Sequence, residues 1–168
     1  TVNDGALVAG VIDIDGNLAA SQNVSSDTGA ISVAGTATTT GGADITGATG
    51  VSVSGTSSLN GDVTATANNV TLGGNVTLTA DSVITAAGTI GVTGSVDGAF
   101  DLTLAGTGGS DVSNTVGTTI VDLTVNDGAL VAGVIDIDGN LSASQNVSSD
   151  TGAVSYTHLT LPTSTHVE

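Results

Sequence analysis

Residues 51–94 read VSVSGTSSLNGDVTATANNVTLGGNVTLTADSVITAAGTIGVTG, and one pattern recurs in them: apolar, any, apolar, any, glycine, at VSVSG from Val51, VTLGG from Val70 and IGVTG from Ile90. Alternate apolar residues put two side chains on one face of a short strand, and glycine permits the tight corner that follows. Outward from this stretch the pattern begins again at Ile12 (IDIDG), Ile31 (ISVAG) and Ile135 (IDIDG). The steps from Ile12 to Ile90 are 19, 20, 19 and 20 residues, and a weaker member at Val112 divides the remaining 45 to Ile135. A second series runs about half a period out of phase through Val24, Ala43, Val63, Ile84, Leu102 and Leu123.

A longer repeat encloses the short one. Residues 1–30, TVNDGALVAGVIDIDGNLAASQNVSSDTGA, return as residues 124–153 with a single change, Ala19 against Ser142, at an offset of 123 residues. Near-identity over that length marks a tandem duplication, and repeats of this kind decide the architecture. Six short steps fit the offset. The fold expected for residues 1–153 is therefore all-β, a parallel β-helix (β-solenoid) with about 20 residues per coil. Its coils stack at about 4.8 Å, so that Ile12, Ile31, Val51, Val70 and Ile90 form an internal aliphatic ladder. Alternate residues such as Asp13, Asp15, Ser32, Ser52, Ser54 and Thr71 point outward.

Composition agrees with this reading. The chain of 168 residues holds 25 Gly, one Phe, one Tyr and no Trp, Met or Cys, so a globular core built on aromatics is out of reach. Its apolar residues are mostly small or β-branched, which suits closely stacked strands. Lys and Arg are absent and the formal charge is −16. With no cation to neutralise phosphate, nucleic acid and anionic lipid are excluded as expected partners. No apolar run approaches the length of a membrane span, so no membrane insertion is expected. Thr1 is not an initiator Met. The sequence is read as a window on a longer array whose adjacent repeats are its first partners.

The last fifteen residues, VSYTHLTLPTSTHVE, break the pattern and contain the only Pro, the only Tyr, the only Glu and both His. VSYTHLTLPT resembles the in-frame translation of a sequencing-adapter sequence, which implies that residues 154–168 are read-through and that His158 and His166 carry no function.

Before that tail the chain has no His, Cys, Lys, Arg, Tyr or Trp. Ser-His-Asp and Cys-His nucleophiles, His or Cys zinc sites, Schiff-base lysines and cationic clamps are thereby excluded. No enzyme is expected, with no catalytic or cofactor-binding residue assigned. Asp13 and Asp15 share a strand face about 7 Å apart, a spacing that invites comparison with paired glycosidase carboxylates. The pair returns intact as Asp136 and Asp138, which suits a repeated solvated face better than one catalytic centre. Calcium is the one cofactor worth weighing, near Asp13, Asp15, Asp136 and Asp138, since oxygen ligands suit it. The acidic residue that closes an EF-hand loop and the glycine-rich nonapeptide of calcium β-rolls are both missing, so no metal site is assigned. Four glycosylation acceptor patterns, at Asn23, Asn69, Asn75 and Asn146, are explained by composition.

FDLTLAGTGG (Phe100 to Gly109), VGTTIVDLTVNDG (Val116 to Gly128) and GNVTLTADSVITAAGTIGVTG (Gly74 to Gly94) are similar to repeats of filamentous-haemagglutinin-like giant bacterial exoproteins. The resemblance implies a right-handed parallel β-helix, export across the outer membrane, and an extracellular or cell-surface role in adhesion. It implies no binding residues, because such repeats form the stalk. Alternatives are a tandem Ig-like or cadherin-like array, a surface-layer or matrix protein and, more remotely, a polysaccharide-active β-helix enzyme.

Overall fold

Short alternating runs separated by Gly, Asn, Asp and Ser can form strands of three to five residues but nothing longer before each corner. The computed structural model, which describes residues 1–117 and 119–160, is built of such pieces and contains no helix among the described residues. Each coil has three sides. The first side is a nine-stranded parallel sheet that begins Leu7–Ala9, Val24–Ser26, Ile45–Gly47, Val63–Ala65 and ends with Asn140–Ala143 and His158–Thr160, so eight turns separate its first and last strands. The second side begins Ile12–Ile14, Ala30–Val33, Gly50–Val53, Val70–Leu72, Ile90–Val92. The third begins Leu18–Ala20, Ala37–Thr39, Ser57–Leu59, Val76–Leu78, Val96–Asp97. Second and third sides join into one sheet because Ser110–Gly117 pairs with Ile90–Val92 through its first half and with Val96–Asp97 through its second. The corner between the halves shows in a register shift between Val112 and Thr115 against the next long strand, Leu130–Asp136. The protein is a parallel β-solenoid.

The expected ladder is present. Ile12 lies beside Ile31, Ile31 beside Val51, Val51 beside Val70 and Val70 beside Ile90. All five are buried, while Asp13, Ser32, Ser52 and Thr71 between them are exposed. Backbone bonds run from coil to coil, as from Val51 N to Asn69 O at 3.1 Å and from Val70 N to Thr89 O at 3.0 Å. The core is a column of Val, Ile, Leu and Ala, and each interior rung both covers the one below and offers its N–H and C=O groups to the one above.

The register departs from the spacing in four places. Ile90 stacks on Ser110, and Ser110 on Leu130, whereas Val112 pairs with Val92 and Ile135 with Val116. A serine on the apolar ladder hid the true rung. In the second series Val24 pairs with Ile45, not Ala43, and Leu104, not Leu102, pairs with Ile84. A slide of two residues keeps the same set of side chains inward, so alternation alone does not fix it. The third series, Leu18, Ala37, Ser57, Val76, Val96 and Val116, carries no apolar signal in the sequence at Ser57 and only a weak one at Ala37. Finally, from Leu7 on the first side to Leu130 on the second the chain makes nineteen strand steps, six coils and one side, so the 123-residue offset is not a whole number of coils.

The adapter-like tail supplies strand positions as far as it is described. Val154 pairs with Ile135 and Leu159 with Leu141, and Val154 and Leu159 are 39% and 42% exposed against 2% for Leu141. His158 is exposed beside Thr157, and His166 lies outside the described residues.

Candidate functional site

A solenoid corner leaves backbone N–H groups that no strand partner takes, and short polar side chains are the groups able to reach them. In this chain Asn and Asp immediately before a strand do so. Asn23 Oδ1 accepts the N–H of Asp44 at 2.9 Å, Asp44 Oδ1 that of Asp62 at 2.9 Å, and Asp62 Oδ1 that of Val83 at 2.9 Å. Where the strand Ser82–Ala86 lengthens, the column restarts two residues earlier. Asp81 Oδ1 accepts from Asp101 N at 3.0 Å, Asp101 Oδ1 from Asp122 N at 3.2 Å, and Asp122 Oδ1 from Asn140 N at 2.7 Å. Asn140 Nδ2 donates back to both Asp122 oxygens at 3.1 and 3.2 Å. One acidic or amide side chain per coil thus marks the corner that leads into the first side.

The other corners use the same device more sparsely. Asn69 Oδ1 takes Thr89 N at 2.9 Å at the entry to the second side; Asn17 Oδ1 takes Thr36 N at 2.9 Å, and Asn75 Oδ1 takes Ser95 N at 3.1 Å, at the entry to the third. The side-chain oxygen lies against the residue preceding its donor partner, and in these three cases that residue is glycine. A Cβ added to Gly35, Gly88 or Gly94 would land on the Oδ1 of Asn17, Asn69 or Asn75. Three of the four glycosylation acceptor asparagines, Asn23, Asn69 and Asn75, are therefore held by the rung above.

Asp13 and Asp15, singled out by the calcium pattern, are exposed on the second side and the corner after it; Asp136 and Asp138 are exposed on the third side and the corner after that. The two pairs are not brought together, and among the described residues no group of three His, Cys, Asp or Glu is placed to hold a metal ion. The Asn and Asp column was missed in the sequence although it could have been found: Asn23, Asp44, Asp62, Asp81, Asp101, Asp122 and Asn140 recur at the coil period. The five carboxylates of the column, Asp44, Asp62, Asp81, Asp101 and Asp122, offer acceptors alone, a chemistry that solvates, repels like charge and attracts cations.

Coil, ladder and corner column define the class: a parallel β-solenoid repeat protein. No protein-family model matches the chain, and comparison with curated proteins and with solved structures finds no match.

Proposed function

We propose that the chain is a stretch of the stalk of a secreted or cell-surface adhesin or exoprotein of the filamentous-haemagglutinin-like kind, extending and presenting a surface for contact with cells or matrix. The observation that carries this reading is the unbroken stack of coils, in which each rung's apolar residues and backbone groups are consumed by its neighbours. Such a construction makes length and a repetitive outer surface. The residues before the tail contain no nucleophile with a His or Lys base beside it. A charge of −16 without Lys or Arg suits a shaft that stays solvated and does not adhere to its own kind.

The test is surface labelling of the producing cells. An antibody raised against residues 1–153 should label intact cells, and protease applied from outside should remove the signal. Labelling that requires lysis would overturn the reading.

A further inference from the structure

The duplicated segments have nearly the same sequence and stand on different sides. Leu7, Ile12 and Leu18 are on the first, second and third sides; their counterparts Leu130, Ile135 and Leu141 are on the second, third and first. Two of the three strands keep their pairing onto the next coil. Leu7 pairs with Val24 and Leu130 with Val147; Ile12 pairs with Ile31 and Ile135 with Val154. The corners repeat as well. Ser26 Oγ donates to Gly10 O at 2.6 Å and accepts from Gly29 N at 3.1 Å; Ser149 Oγ donates to Gly133 O at 2.6 Å and accepts from Gly152 N at 3.2 Å. The first of these corners joins the first side to the second, and the other joins the second to the third.

We infer that a strand with its corner carries no preference for a side, and that the long repeat turns its outer surface by one side with every copy. The side a segment occupies is set by the number of strands before it. Nineteen steps per repeat leave one over from six full coils. Asp13 and Asp136, identical in setting within their copies, consequently look out in different directions, roughly 30 Å apart along the axis at the rise of a parallel sheet. A partner that reads the repeated surface meets it on a new side at each copy, so two partner molecules bind one chain without competing for room along a single side. After three copies the first direction returns, and a stalk built this way presents its surface all round.

The chain has no Cys, so engineered pairs report the register directly. Neighbouring outward positions on parallel strands lie within disulfide range. In Thr115→Cys/Val134→Cys the two positions are partners. In Ser113→Cys/Asp136→Cys they would be partners only if the repeat were six whole coils, with Ile135 beside Val112. Ser52→Cys/Thr71→Cys is the control, since both registers pair these residues. Under mild oxidation, followed by mobility on a non-reducing gel, the first pair and the control should link and the second should stay reduced. Linking of the second pair, or failure of the first where the control links, would overturn the inference.

Discussion

Ile12 and Ile135 are the same residue of a duplicated sequence, yet Ile12 stacks on Ile31 on one side of the shaft and Ile135 stands between Val116 and Val154 on the next. Both are buried, at 5% and 0% exposure. The core can exchange them because all three sides are lined by small and β-branched residues in the same alternation, so no side requires a shape that another cannot supply. What distinguishes rungs is local: which residue interrupts the ladder and how its corner is closed.

Ser110 interrupts the ladder between Ile90 and Leu130, and its Oγ is buried with no hydrogen-bond partner; Ser57, between Ala37 and Val76, is in the same position. A buried, unsatisfied hydroxyl costs about 1–3 kcal/mol. Ser110→Val removes that cost and adds apolar burial, and should raise stability by about 1–2 kcal/mol. Ser57→Ala should raise it by somewhat less. Thermal or denaturant unfolding of the two variants beside the parent chain checks this; a lower midpoint for both would refute it.

These serines also show where the sequence was readable. The run from Ile12 to Ile90 could be read because every member is Ile or Val and the glycine after it fixes the phase. Beyond Ile90 the rung is Ser110, so spacing alone moves two residues along the same side to Val112 and then loses the side at Ile135, which pairs with Val116 while Leu130 continues the ladder. Val24 and Ala43 were matched for a different reason, since a slide of two residues leaves the inward set intact and only the pairing of Val24 with Ile45 decides between them. The period of the Asp column is legible in the sequence, but the role of each member is not, because that depends on which N–H lies one coil above, 18 to 21 residues away.

Glycine at the corners answers a need for close contact as well as for backbone freedom. Gly117 has φ +117, and a Cβ there would strike the carbonyl oxygen of Asp136 in the next coil. Gly117→Ala should therefore cost more than about 2 kcal/mol, beyond the ordinary penalty for a strained backbone position. Gly35→Ala should cost less, because its closest contact is the Asn17 side chain and the Gly16 carbonyl oxygen stands farther off at 2.8 Å, but the bond from Thr36 N to Asn17 Oδ1 goes with it. The order of the two midpoints, Gly117→Ala below Gly35→Ala, is the measurement; the reverse order would contradict the contact.

Asp44 accepts from Asp62 N and donates its own N–H to Asn23 Oδ1, so it holds the coils on both sides of it. Asp44→Ala removes the acceptor and should lose about 1 kcal/mol. Asp44→Asn keeps an oxygen in the same place and removes one charge from a column of like charges. Asn should thus match or exceed the parent, and Ala should fall below it. Equal losses in both variants would mean that the carboxylate charge, not the acceptor geometry, holds the corner.

The same column sets the response to salt. Asp44 and Asp62 lie on adjacent coils, as do Asp101 and Asp122, and the chain has no Lys or Arg to offset them. Stacked carboxylates about 5 Å apart are closer than the Debye length of about 10 Å at 0.1 M salt. Self-repulsion within the folded stack exceeds that in the extended chain, where the same residues are far apart, so screening favours the fold. The unfolding midpoint should rise as sodium chloride increases from about 0.01 M to about 0.5 M, a range over which screening of exposed charges becomes nearly complete. Asp44→Asn should show a smaller rise than the parent, because one repelling member is already gone. A midpoint that falls with salt in the parent chain would mean that the column is held by attraction to something other than its own backbone.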